Sequence, residues 1–251
     1  MFPLVHIGPA ILQTAGLILL VGTWLGVWVM ERNAHRLGVS GETLSNLVWA
    51  GLVIGGLGAR LGYIAQHPAA FAGDLASIFS PNPALLDGWS GVFAGVFAGA
   101  IYGKRKGLHL WPTLDSLTPG LAIMGVAAGL AHFASGQAYG AVTALPWAIH
   151  LWGAMRHPTQ AYEILAASVI LLITWPRAGD AFFRLPGLRF LAFIALSSAA
   201  QLFIETFRGD SQLLPGGFRM MQLAAWVILA FSLWQIGKRK EITKDERTIR
   251  L

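Results

Sequence analysis

The densest run of polar chemistry in this sequence is RHPTQAYE at 156–163. It stands directly ahead of an apolar run over 164–175, which predicts a membrane-spanning helix. Pro158 suits the first turn of that helix, because its missing N–H costs nothing there. Arg156 and His157 would then lie at the positive end of the helix dipole, beside free backbone N–H groups. The run predicts a site for an anionic head group. The alternative is an interfacial Arg beside a Glu with a structural partner.

A second set of polar residues lies in two other apolar segments. Gln201, Glu205 and Arg208 are spaced by four and three residues, which would place them on one face of a helix. Arg60 would cost at least ~2.5 kcal/mol at mid-bilayer depth unless it snorkels or pairs. Because Glu163 and Glu205 also need partners inside a membrane, we predict structural ion pairs of these two carboxylates with Arg60 and Arg208.

The predicted lipid-binding residues combine cations with groups that can orient a head group. They are Arg60, Arg156, His157, Gln160, Tyr162, Gln201 and Arg208. If the chain is an enzyme, the candidates for catalysis are His132, Arg156 and Arg208. The His residues show no HExxH motif or clustered carboxylate spacing, so we predict no metal and no other cofactor. No serine lies in a nucleophile-elbow motif.

The composition places these residues in a bilayer. The 251 residues are 55% hydrophobic and only 12% charged, against roughly 25% charged in soluble domains. Cysteine is absent, which excludes a disulfide, a thiolate nucleophile and a cysteine-ligated metal. The first apolar run has no basic residue before it, so we interpret it as a retained span and not as a cleaved signal peptide.

Seven apolar segments predict seven transmembrane helices, since about 20 mostly apolar residues cross a bilayer. The predicted spans are 7–30, 44–64, 88–103, 116–133, 158–175, 190–207 and 220–237. We therefore predict an all-α integral membrane protein. Its transmembrane domain occupies 1–240, and a charged cytoplasmic tail occupies 241–251.

The basic residues predict the orientation of these helices. All but four of the 18 Lys and Arg residues fall on one set of loops and the C-terminal tail, which the positive-inside rule makes cytoplasmic. The exceptions are Arg60, Arg156, Arg208 and Arg219. The N-terminus is then outside, and two long segments, 66–87 and 134–157, lie at the outer surface. The positive charge is a topology signal, so nucleic acid is excluded as a partner.

Three motifs resemble those of the prolipoprotein diacylglyceryl transferase family. They are GARLGY at 58–63, RHPTQAYE at 156–163 and ETFR at 205–208. Asp115 with Pro119 is similar as well, and 135–140 stands where the family has an Asn-Gly-Glu segment. The resemblance implies seven spans and an outward N-terminus in the bacterial plasma (inner) membrane. It also implies transfer of diacylglyceryl from phosphatidylglycerol to the lipobox cysteine thiol of a prolipoprotein, with release of glycerol phosphate.

The sequence departs from the family pattern where the family's chemistry is placed. Ala94 stands where the family has a His, and 129–133 lacks the family's Arg. Gln137 replaces a Glu, Gln201 replaces an Arg, and Ala15 replaces a Tyr. One lost charge contact of this kind typically costs roughly 10²–10³ in rate. Together these losses favour a catalytically degenerate family member.

We therefore weigh three functions for this chain. The first is an accessory or scaffold subunit with a phospholipid-binding cavity, in a larger membrane complex, with phosphatidylglycerol as the expected lipid. The second is an active transferase, whose partners would be phosphatidylglycerol and a prolipoprotein. The third is a transporter or a receptor for an unrelated lipid.

Overall fold

A computed structural model of the protein describes residues 4–7, 10–73, 75–80, 82, 85–177 and 185–249. These residues are mostly helical, in agreement with the predicted all-α membrane protein. Five helices are long and apolar enough to cross a membrane by length and composition. They cover Thr14–Leu37, Gly41–Gln66, Leu110–Ser135, Leu188–Glu205 and Met220–Glu241.

The helices and strands follow one another in a simple order. The α-helices are α1 (Thr14–Ala34), α2 (Gly41–Gln66), α3 (Pro68–Phe71), α4 (Gly88–Arg105), α5 (Leu110–Ser135), α6 (Thr159–Thr174), α7 (Leu188–Glu205) and α8 (Met220–Ile249). Short 3₁₀ helices cover His35–Leu37 and Leu75–Phe79. Two antiparallel hairpins pair β1 (Leu4–Ile7) with β2 (Ala10–Gln13), and β3 (Ile149–Leu151) with β4 (Ala154–Arg156).

A helix overlaps each of the seven predicted spans, but several ends differ. The first helix begins at Thr14 and not at residue 7, since β1 and β2 flank a Gly-Pro dipeptide that disfavours a helix. Helix α7 ends at Glu205, two residues early, and α8 continues into the predicted tail. Helices α4 and α6 have 18 and 16 residues and are not among the five candidate spans.

The chain forms two compact units: a small unit, Ala34–Thr113, and a large unit, Met1–Asn33 with Leu114–Leu251. In the small unit, glycines bring α2 and α4 into close contact. A Cβ added at Gly95 would lie 2.8 Å from the Gly51 carbonyl oxygen, and one added at Gly91 would lie 2.9 Å from the Ala59 Cβ. The regular glycine spacing of α4 therefore serves helix packing.

In the large unit, Asp115 of α5 holds the start of α7. Its side chain accepts hydrogen bonds from the Gly187 N–H at 2.6 Å and the Phe190 N–H at 2.9 Å. The residue is only 2% exposed. Its carboxylate thereby satisfies amides that a helix start leaves without an intrahelical partner. Helix α5 also packs closely on α6, because a Cβ added at Gly129 would lie 2.9 Å from the Ile164 Cγ1.

Candidate functional site

Glu163 is the centre of a polar cluster in the large unit. Its Oε2 lies 2.7 Å from the His132 Nδ1, and its Oε1 accepts a hydrogen bond from the Arg208 Nη1 at 3.1 Å. The Glu163 side chain is 14% exposed, whereas that of His132 is 38% exposed. His132 comes from α5, Glu163 from α6, and Arg208 from the segment after α7. Only the tertiary fold brings these three residues together.

Three carboxylates surround the Arg208 guanidinium. Its Nε and Nη2 donate to the two Asp210 carboxylate oxygens at 2.9 and 3.0 Å, and Glu205 lies 3.8 Å away. Burial lowers the pKa of Arg208, but the carboxylates of Asp210, Glu163 and Glu205 outweigh it and raise that pKa above its ordinary value. The charge of Arg208 is thus already balanced, which favours a role in holding Glu163 over one in holding a phosphate.

The spacing predicts that Arg208 shares a helix face with Gln201 and Glu205. This prediction is wrong, because α7 ends at Glu205. Its backbone instead forms an antiparallel bridge with Gly140. The Gln201 Nε2 still donates to the Glu205 carboxylate at 3.0 Å. Arg208 forms the predicted ion pairs with Glu163 and Glu205.

Arg156 is a cation of a different kind, at the end of β4. Its Nε donates to the Leu151 carbonyl at 3.1 Å, and its Nη1 donates to the Gly140 carbonyl at 3.2 Å. Its guanidinium also lies 4.9 Å from the centre of the Tyr139 ring. Among the described residues no carboxylate pairs with Arg156, so its charge remains available to an anion.

The N-terminal end of α6 is less accessible to a ligand than the sequence predicts. The helix begins at Thr159, and Pro158 is its N-cap and not part of its first turn. The Thr159 N–H donates to the His157 carbonyl at 2.9 Å. Gln160 is completely buried, and its Nε2 donates to the Gln137 carbonyl at 2.8 Å. Gln160 is therefore held as part of the protein interior, although it was a predicted lipid ligand.

His157 and Tyr162 belong to an aromatic cluster. The rings of His157 and Tyr162 lie 5.0 and 6.0 Å from that of Phe207, measured between centroids. The Trp147 Nε1 donates to the Tyr162 hydroxyl at 2.9 Å. Among the described residues, the buried His157 Nδ1 has no hydrogen-bond partner. These contacts connect the segment 134–157 to α6 and to the end of α7.

Arg60 lies in the small unit and uses its guanidinium to bind backbone. Its Nε and Nη1 donate to the carbonyls of Ile78 at 2.8 Å and Leu85 at 2.9 Å, and its Nη2 donates to the carbonyl of Ser77. No ion pair to Arg60 occurs within the described part of the chain. The predicted carboxylate partner is thus replaced by carbonyl oxygens, and these hydrogen bonds fix the 3₁₀ helix Leu75–Phe79 and Leu85 to α2.

A cavity of about 520 Å³ lies between α7 and α8. Its lining is mostly apolar and includes Leu202, Phe203 and Trp226. Arg219 also lines this cavity, and its Nη1 donates to the Glu205 and Arg208 carbonyls. Arg219 therefore connects the cavity to the backbone of the polar cluster.

Sequence reasoning missed two residues of the site. Asp210 holds two of the Arg208 nitrogens, but it follows Arg208 by two residues outside a helix, where helical spacing rules do not apply. Gly140 accepts from Arg156 and pairs with the Arg208 backbone, and no local sequence pattern indicates these distant partners. Among the described residues, no group of three His, Asp or Glu could hold a metal ion.

Apolar helices with a His–Glu–Arg cluster at their ends define a helical membrane protein with a polar site. A family model described as prolipoprotein diacylglyceryl transferase matches residues 3–237. The chain belongs to this family. It is accordingly a multi-pass protein of the bacterial plasma membrane and a member of a transferase family in lipoprotein biosynthesis.

Three relatives show how far the similarity extends. All three bear the name phosphatidylglycerol–prolipoprotein diacylglyceryl transferase. The chain is 30% identical to that of Finegoldia magna over 234 residues, which cover 92% of this chain and 93% of the relative. Identity is 28% with that of Geobacillus kaustophilus, covering 94% and 92%, and 27% with that of Clostridioides difficile, covering 84% of each.

Proposed function

We propose that this protein is an active phosphatidylglycerol–prolipoprotein diacylglyceryl transferase. The relatives named for this activity match most of its length, which favours an enzyme over the degenerate subunit that the sequence departures suggest. The observation that carries the proposal is the contact between His132 and Glu163. It supplies an oriented imidazole in a chain that has Ala94 where the family has its His.

His132 is the proposed general base. Its Nδ1 faces Glu163, while its side chain is 38% exposed, so the ring remains accessible. An imidazole can accept the proton of a thiol and pass it on at neutral pH. The resulting thiolate is the nucleophile, because a neutral thiol attacks poorly.

Arg156 is the proposed phosphate-binding cation. Within the described residues its side chain has only carbonyl and ring partners, whereas Arg208 is already paired with carboxylates. The two arginines are connected through Gly140, which accepts from the Arg156 side chain and pairs with the Arg208 backbone. A guanidinium can donate two parallel hydrogen bonds to a phosphate, and its charge stabilises the departing anion.

The proposed reaction is a nucleophilic displacement at carbon. The lipobox cysteine loses its thiol proton to the His132 Nε2. The thiolate sulfur then forms a bond to the glyceryl carbon that carries the phosphate ester. The bond between that carbon and the ester oxygen breaks, and its electron pair leaves on glycerol phosphate, facing Arg156. The imidazolium returns its proton to the leaving group or to water.

The apolar cavity between α7 and α8 is the proposed place for part of an acyl chain. Its lining by Leu202, Phe203 and Trp226 suits a hydrocarbon, and Arg219 lies among the same residues. Replacing Leu202 by Trp should reduce the volume of the cavity and raise KM for long-chain phosphatidylglycerol. A short-chain lipid is the control, since it needs less of this volume.

We also propose the full topology of seven spans, in which α4 and α6 cross the membrane in addition to the five candidate helices. The N-terminus is then outside and the tail over 241–251 cytoplasmic, as the basic residues favour. The absence of cysteine makes a clean test possible. An impermeant maleimide should label Ala144→Cys in intact spheroplasts, and Lys106→Cys only after lysis. The reverse pattern would overturn the orientation.

The proposed activity is tested with purified protein, phosphatidylglycerol and a lipobox peptide, followed by mass spectrometry. The expected product is the peptide carrying a diacylglyceryl thioether, and formation should fall roughly 10²–10³-fold in Arg156→Met. Unmodified peptide, beside a relative that modifies it under the same conditions, would overturn the proposal and favour the accessory subunit. Glu42→Gln, an exposed change in α2, serves as the control.

A further inference from the structure

We infer that Glu163 is a positioning residue that fixes the tautomer of His132, and that Arg208 in turn fixes Glu163. A carboxylate can only accept hydrogen bonds. The Glu163 Oε2 lies 2.7 Å from the His132 Nδ1, so this nitrogen carries the hydrogen. The neutral ring then keeps its lone pair on Nε2, where a thiol proton can be taken.

The position of Glu163 is itself determined by Arg208. The Arg208 Nη1 donates to Oε1, the carboxylate oxygen that does not face His132. The other Arg208 nitrogens are held by Asp210 at 2.9 and 3.0 Å, and Glu205 lies 3.8 Å from Nε. Arg219 also lies beside this cluster, where its Nη1 donates to the Glu205 and Arg208 carbonyls. The Arg208 guanidinium therefore acts on the reaction through Glu163 and His132, without touching the substrate.

The two hydrogen bonds of Glu163 make one substitution unusually informative. In Glu163→Gln, the amide oxygen must face Arg208, because a guanidinium has no acceptor. The amide NH₂ must then face the His132 Nδ1 and donate to it. His132 is thereby forced to carry its hydrogen on Nε2, so the lone pair needed for the thiol proton is lost. The variant inverts the tautomer with little change in shape.

The inference rests on the proposed transferase function, so its test has a readout that does not need activity. Nitrogen-15 NMR of histidine-labelled protein is recorded across a pH titration, and His132→Asn identifies the His132 signals. We expect the neutral ring to carry its hydrogen on Nδ1 in the wild type and on Nε2 in Glu163→Gln. The Glu42→Gln variant should leave the wild-type signals unchanged.

The kinetic arm uses the same variants with phosphatidylglycerol and a lipobox peptide. We expect kcat to fall roughly 10⁴-fold in Glu163→Gln, the loss caused by a wrong histidine tautomer in a serine protease triad. KM should stay within a factor of about three, since Glu163 is not expected to contact substrate. An Nε2–H tautomer in the wild type, or an unchanged tautomer in Glu163→Gln, would overturn the inference even if the wild type is active. A wild type without activity but with the expected tautomers would overturn the proposed function instead.

Discussion

Gly140 and Arg208 are paired through their backbones, although 68 positions separate them in the chain (208 − 140). On either side of this bridge, the Ala141 N–H donates to the Phe207 carbonyl at 2.7 Å, and the Gly209 N–H donates to the Tyr139 carbonyl at 2.9 Å. The bridge fixes the end of α7 to the segment 134–157. It therefore determines where the Arg208 side chain can reach Glu163.

Replacing Gly140 by Ala should break this arrangement. The added Cβ would lie 2.6 Å from the His157 Cβ and 2.9 Å from the His157 carbonyl carbon. Overpacking of this kind costs about 1–3 kcal/mol. We therefore expect a lower melting temperature in detergent and a weaker backbone bridge to Arg208. Gly16→Ala is the matched control, because a Cβ at Gly16 meets no atom within 4 Å. Equal melting temperatures for the two variants would contradict the prediction.

Asp115→Asn should destabilise the junction between α5 and α7. The carboxylate accepts two backbone N–H groups, from Gly187 and Phe190, whereas an amide offers only one accepting oxygen. One buried donor then loses its partner, which costs about 1–3 kcal/mol. Thermal unfolding in detergent measures the loss. Hydrogen exchange should also be faster at the start of α7, and unchanged exchange there would argue against this role for Asp115.

Arg60→Lys separates a structural from an electrostatic role of this cation. An ammonium keeps the charge but cannot reproduce the planar fork that reaches the carbonyls of Ser77, Ile78 and Leu85. We expect a loss of about 1–3 kcal/mol and faster proteolysis within 75–87. The control is Arg105→Lys, an exposed change in the same compact unit. If Arg60 served only by its charge, the lysine variant would behave like the wild type.

Asp87 should make the stability of α4 depend on pH. It is the N-cap of that helix, and its hydrogen bonds with Ser90, including the Ser90 N–H at 2.8 Å, hold the pKa of its carboxyl below the ordinary value of 3.8. Because the folded pKa is depressed, the stabilisation is complete above the unfolded pKa. It is lost as pH falls through the folded pKa.

The measurement compares the wild type with Asp87→Asn, since Asn is an equally good N-cap without charge. The wild type should unfold at a slightly higher temperature at neutral pH, and the difference should disappear at acid pH. A difference that does not shrink as the pH falls below the ordinary value of 3.8 would contradict this sign. The Glu241→Gln variant reports the effect of removing an exposed charge that lies far from the start of its helix.

Several features were predictable because they depend on nearby residues alone. Apolar runs of helical length indicated seven helices, since burying the backbone polar groups of an apolar segment in lipid requires a helix. The glycine spacing of α4 indicated close packing, because glycines four positions apart share one helix face. The motifs at 58–63 and 156–163 indicated the family, which the match over residues 3–237 confirms.

The partners of the charged side chains were decided by the tertiary structure. Spacing placed Arg208 on a helix with Glu205, but the helix ends there and a backbone bridge to Gly140 carries Arg208 to Glu163. Arg60 was expected to find a carboxylate and instead binds loop carbonyls. The physical reason is the distance along the chain. Hydrophobic periodicity depends on residues that are close together in the sequence. A buried charge, in contrast, takes whichever acceptor the packed helix ends and loops bring within hydrogen-bond distance.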